Sequence, residues 1–139
     1  AIAVDAVRLV QEAGLELVPK ADFQPRRQRI VRFRNLSHEE RDKLVKENPL
    51  YGRMICRCES VTEGEIVDAI RRGARTLDGI KFRARAGAGR CQGGFCGPTI
   101  MSIIARELNI PFEEVSKRGP GTELVAYHAK ELLTGGKGQ

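Results

Sequence analysis

The stretch ICRCESVTEGE, residues 55–65, sets two cysteines one residue apart and follows them with a helix start. Thr62 and Glu65 stand in the capping-box pattern, in which each side chain accepts the backbone N–H of the other residue. A second stretch, AGAGRCQGGFCGPT at 86–99, holds the other two of the four cysteines. It too runs into a helix, with Pro98 at a favoured first-turn position. Two tight thiol pairs, each upstream of a helix, read as a metal site within a small helical domain.

Working outward, the same logic places the other elements. Residues 3–12 are apolar at Val4, Val7 and Val10 and end near Gly14, the pattern of a helix with a glycine stop. Pro19, Pro25 and many charges make 15–36 an extended connector, with short strand pieces expected at 15–18 and 30–33. Ser37 and Glu40 form another capping box, so a helix is expected to about Glu47, where Asn48-Pro49 stops it. The helix from Thr62 carries Ile66, Val67 and Ile70 on one face and ends at Gly73. A further helix spans Leu77 to Arg83 behind Thr76. After Pro98, Ile100, Ile103, Ile104 and Leu108 repeat at helical spacing as far as Asn109, which makes Met101 and these isoleucines core. A short turn of helix follows at 111–115, a helix is expected over 123–133, and GGKGQ closes the chain as a flexible tail.

The composition excludes several classes. The chain has 139 residues, 41% hydrophobic and 30% charged, as a globular protein does. No apolar run approaches the roughly 20 residues that span a bilayer. The first residues form no signal peptide. The chain starts without Met and reads as a helix cut from a longer polypeptide. Paired cysteines without a secretory signal point to a reduced, cytoplasmic setting. The net charge is +6, yet aromatic residues are only 5% and Trp is absent, so stacking platforms for single-stranded nucleic acid are missing. RRQR at 26–29 reads as a solvated linker. No catalytic triad, carboxylate pair or phosphate loop stands out, and catalysis by this chain alone is not expected.

The thiol spacing is C-x-C, then a gap of 32 residues, then C-x4-C. Three readings fit it. A structural zinc site uses four thiolates, although its usual knuckle spacing is C-x(2–4)-C. Disulfides between the pairs are conceivable but suit the cytosol poorly. A [2Fe-2S] cluster takes two thiolates on each iron, which suits two close pairs. Electrostatics favour the cluster, because an anionic core is stabilised by helix N-termini and by nearby cations. Arg57, Arg90 and Arg85 would supply positive charge, Gly93, Gly94 and Gly97 would let the backbone approach the sulfurs, and Gly87 and Gly89 would loosen the approach to Cys91. Gln92 hydrogen-bonds near the site or shapes its turn. Tyr51 and Phe95 either shield the site from water or simply pack. His38 and His128 read as surface or packing residues.

ICRCESVTEGEI with GIKFRARAGAGRCQGGFCGPTI resembles the bacterioferritin-associated-ferredoxin-like [2Fe-2S] domain. The form it resembles is the one fused behind FAD-dependent oxidoreductases, whose second pair is also C-x4-C. The upstream DFQPRRQRIVRFRNLSHEERDKLVKENPLYGRMICRCE, with the first helix, is similar to the region after the FAD domain in anaerobic-type glycerol-3-phosphate dehydrogenases. The resemblance implies cluster ligands at Cys56, Cys58, Cys91 and Cys96. It implies FAD in another part of the polypeptide, and as partners the FAD domain and an electron-acceptor protein or subunit. Membrane association, if any, would be peripheral and through a partner. The expected fold is mainly α: a small helical [2Fe-2S]-binding domain of helix–turn–helix units at 37–118. A helix and extended connector precede it at 1–36, and an extension follows at 119–139. The alternatives are a zinc-holding or metal-free docking module of the same flavoenzyme, or the cluster domain of an amino-acid or opine-type oxidase.

Overall fold

The structure is a computed structural model and describes residues 2–26, 28–127 and 129–130. Helix α1 (Ile2–Glu12) buries none of its residues, and Gly14 ends it with φ of +92°. The strand pieces expected at 15–18 and 30–33 do not form. Among the described residues there is one sheet, and it has two strands elsewhere. Leu15 to Val18 stay exposed and pair with nothing in that sheet, and a strand without a partner leaves its backbone groups to water. Ile30 instead packs on the core. Arg32 then donates to the carbonyls of Ala84 at 2.9 Å and Arg83 at 2.8 Å, so the connector is tied down by a side chain rather than by a ladder.

Helix α2 (His38–Glu47) carries the expected capping box: the Ser37 N–H donates to the Glu40 carboxylate at 2.7 Å, and the Glu40 N–H to the Ser37 hydroxyl at 3.2 Å. A 3-10 turn over Pro49–Gly52 leads into the hairpin β1 (Met54–Cys56) and β2 (Val61–Thr62), antiparallel with Cys56 opposite Val61. Helix α3 (Glu63–Arg71) follows at once, capped by Thr62 and Glu65. The Glu65 carboxylate accepts the Thr62 N–H at 2.9 Å and its hydroxyl at 3.0 Å. This box is buried, and burial raises the Glu65 pKa above the usual carboxylate range although those hydrogen bonds oppose it.

Helix α4 (Leu77–Ala84) is capped by the Thr76 hydroxyl and ends at Arg85 in the left-handed region. Helix α5 (Gly97–Leu108) carries Pro98 in its first turn and ends at Asn109, also left-handed. The architecture is therefore mainly α, with three helices packed around one core. Ile66, Val67 and Ile70 of α3 meet Ile80 of α4 and Ile100, Met101, Ile103 and Ile104 of α5. Burying each such aliphatic side chain contributes about 1.5–3 kcal/mol. The helix expected from 123 does not begin there. Glu123 bridges Ser116, and the Thr122 hydroxyl accepts the N–H groups of Arg118 and Gly119, which closes a loop instead. Residues 131–133, the GGKGQ tail and His128 lie outside the described residues.

Candidate metal centre

Two turns carry the thiols. The hairpin ends β1 on Cys56 and turns through Arg57 to Ser60, whose φ is +51°. Cys56 is thereby buried while Cys58 stands exposed at the tip. The second turn passes Cys91 with Gln92 at φ +49° and Gly93 at φ +88°. These two left-handed residues fold the chain back, and the Gly94 N–H donates to the Cys91 carbonyl at 3.0 Å. Cys96 then stands as the residue before α5, buried, its side chain capping nothing. Its thiol lies at the positive end of a helix macrodipole.

The turns face each other across an open pocket of about 550 Å³ lined by Cys56, Cys58, Cys91 and Cys96. Sequence reasoning chose these four, and the fold brings all of them to one cavity. The Cys56 and Cys58 sulfurs are 3.8 Å apart. A tetrahedral metal with thiolate bonds of about 2.3 Å places two sulfurs about that far apart, so this pair fits two ligands on one metal. Sulfur contacts continue from Cys56 to Cys96 and from Cys58 to Cys91. Among the described residues no group of three or more His, Cys, Asp or Glu is arranged to hold a metal ion. Four thiolates in two pairs around one pocket are a donor set whose chemistry suits a two-iron core.

The four thiols differ in acidity. Backbone N–H groups of Phe95 and Gly93 reach the Cys91 sulfur and hold its pKa below the usual thiol value. Desolvation of the sulfur raises Cys58, aided by its contact with Cys56 and opposed by the Cys91 N–H. Burial, with repulsion from Cys56, pushes Cys96 up to about 12. Thiolate is the reactive form. In the metal-free protein at neutral pH, iodoacetamide is therefore expected to modify Cys91 first and Cys96 last, read by peptide mass spectrometry. Equal rates at the two sites would contradict this geometry.

Gly89 is the hidden wall of the site. A Cβ there would lie 2.5 Å from the Cys58 sulfur and 3.1 Å from its Cβ. An unliganded Cys58 can rotate away, whereas a metal-bound one cannot. Overpacking of this kind costs about 1–3 kcal/mol. Gly89→Ala is expected to keep its helical circular dichroism and lose metal-centre occupancy after reconstitution. Full occupancy would contradict the close approach.

Gln92 donates to the Ala88 and Gly89 carbonyls and so shapes the turn. Arg57 and Arg90 line the pocket, as does Phe95. Arg85 does not line it; it pairs with Glu59 at 3.0 Å, as Arg34 does at 3.3 Å. Tyr51 is buried away from the thiols and donates to Asp68 at 2.8 Å. Burial and that carboxylate keep its phenol protonated well above its usual range.

Glu63 is the residue near the centre that sequence reasoning missed. It opens α3 and is completely buried, its carboxylate 2.8 Å from Arg53 and 2.7 Å from Arg106. Arg53 leads into β1 and Cys56; Arg106 sits on α5, which begins after Cys96. One carboxylate thus ties together the segments that carry the two thiol pairs. A glutamate in the first turn of a capped helix is ordinarily a surface residue, and nothing local marks this one.

Residues 54–106 match the family described as BFD-like [2Fe-2S] binding domain. The chain is 45% identical to a glycerol 3-phosphate dehydrogenase of Caloramator mitchellensis over 132 residues, 94% of this chain and 28% of that protein. It is 51% identical over 43 residues to hydrogen cyanide synthase subunit HcnB of Pseudomonas aeruginosa, 31% of this chain and 9% of that protein. It is 46% identical over 57 residues to an opine oxidase subunit of Rhizobium meliloti, 41% of this chain and 12% of that protein. The chain therefore spans less than a third of the length of each of these curated relatives. Comparison with solved structures gave no match.

Proposed function

We propose, from the premise that residues 54–106 are a BFD-like [2Fe-2S] binding domain, that this chain is the electron-transfer segment of a longer flavin-dependent dehydrogenase. Cys56 and Cys58 would hold one iron and Cys91 and Cys96 the other. The cluster, when bound, supplies one-electron chemistry. The chain's own residues do the rest. N–H groups of the 91–96 turn stabilise thiolate at Cys91, the α5 N-terminus faces Cys96, and the pocket leaves Cys58 and Cys91 on the exposed side.

The observation that carries the reading is the convergence of all four thiols on one pocket inside the matched segment. The parent activity is read from coverage. Likeness to the glycerol 3-phosphate dehydrogenase of Caloramator mitchellensis runs through 94% of the chain, whereas likeness to the hydrogen cyanide synthase subunits covers 31% and 56% of it and likeness to the opine oxidase subunits 39–41%. We assign 37–118 to the cluster domain, with α1 and the connector joining it to a flavin domain. The exposed Ile2, Val4, Val7 and Val10 of α1 support that junction, since they present an apolar stripe with no cover among the described residues. No described helix is long and apolar enough to cross a membrane.

Anaerobic stopped-flow on the parent polypeptide tests the relay. Glycerol 3-phosphate should bleach the flavin first and the cluster after it. A cluster left oxidised beside fully reduced flavin would contradict the relay.

A further inference from the structure

The mouth of the thiol pocket is chemically unlike its surroundings. Phe95 is 89% exposed and Met54 43% exposed, and both line the pocket. Arg57 and Arg90 line it too, and among the described residues no carboxylate does. Other arginines are neutralised: Arg34 and Arg85 share Glu59, and Arg53 and Arg106 share Glu63. Arg57 and Arg90 are exposed and enter none of the ion pairs among the described residues. An exposed aromatic ring that shares a pocket with two cations outside those ion pairs makes a surface complementary to an apolar patch rimmed by carboxylates.

We propose that this face docks a separate, acidic electron-carrier protein, whose carboxylates meet Arg57 and Arg90 and whose apolar centre covers Phe95. The proposal rests on the cluster reading above and adds the partner's chemistry to it. A small apolar centre with a charged rim suits fast, reversible association steered by charge. The apolar stripe of α1 is the contrasting surface, suited to a lasting contact, because permanent interfaces are the more hydrophobic ones. The exchange is one electron: the reduced cluster is oxidised, the carrier's oxidised cofactor is reduced, and no bond or proton moves.

The test uses the reconstituted chain, its visible spectrum first confirming the cluster. It is reduced, freed of reductant, and mixed in a stopped-flow instrument with oxidised cytochrome b5, an acidic haem protein, or with oxidised cytochrome c, a basic one. Electron transfer to cytochrome b5 should slow about tenfold from low to high salt, as steered association does, while transfer to cytochrome c should not slow. Arg57→Glu/Arg90→Glu should abolish the salt dependence with cytochrome b5. Phe95→Ser should lower that rate at every salt concentration. A cluster-loaded chain that reduces cytochrome b5 at one rate regardless of salt, or equally fast in these variants, overturns the docking proposal and leaves the cluster reading standing. A chain that takes up no cluster overturns both.

Discussion

Cys58→Ser and Cys91→Ser are each expected to lose most of the visible absorbance that the unaltered chain gains on anaerobic reconstitution with iron and sulfide. Loss of an outer-shell partner alone costs about 10–100-fold in metal affinity, and loss of a direct ligand should exceed that. These two thiols are exposed, so serine there leaves no buried hydroxyl, and the apoprotein should fold as before. Cys56 and Cys96 are buried in the core, and serine at either would combine ligand loss with a polar group in an apolar place. The exposed pair is therefore the cleaner probe. Absorbance retained by both exposed variants would remove Cys58 and Cys91 from the ligand set.

The second large effect is expected at Glu63. Breaking a buried ion pair costs about 3–5 kcal/mol when the remaining charge is left uncompensated. Here both guanidinium groups are about half exposed or more, at 63% and 48% for the side chains of Arg53 and Arg106. Solvent screening places the loss for Arg106→Met nearer about 2–3 kcal/mol, with the Glu63 carboxylate left buried beside Arg53 alone. Urea unfolding of the metal-free protein measures it as a lowered midpoint. Glu63→Gln in the same background should recover part of the loss by removing the stranded charge. Because Arg53 and Arg106 lie on the two thiol-bearing segments, Arg106→Met should also slow cluster uptake. A midpoint unchanged in Arg106→Met would show that the carboxylate ties nothing.

Much of the helical frame is legible in local sequence. Ser37 with Glu40 and Thr62 with Glu65 fix two helix starts, and both boxes form. Asn109 fixes the end of α5. These signals work because capping partners lie three residues apart and need nothing else. The failures share a different cause. Leu15 to Val18 have strand-like alternation, but a strand depends on a partner that the sequence does not place beside it. Glu123 could begin a helix, yet the Thr122 hydroxyl and Gly119 satisfy the backbone in a loop.

The centre divides the same way. Its thiols were legible from residue type and spacing. Their meeting across the pocket depends on a hairpin and a left-handed turn at Gln92 and Gly93, whose packing against each other is not local information. Gly89 looked like a loosening residue, whereas its lack of a side chain makes room for the Cys58 sulfur. Arg85 looked like a neighbour of the cluster, and Glu59, from 26 residues away, claims it instead.

Iron and acid-labile sulfide analysis of the chain, handled without oxygen and paired with its visible spectrum, tests the central claim most directly. Two irons and two sulfides per chain, with absorbance that bleaches on dithionite, are the predicted result. One zinc and no labile sulfide, persisting after reconstitution with iron and sulfide, would contradict it.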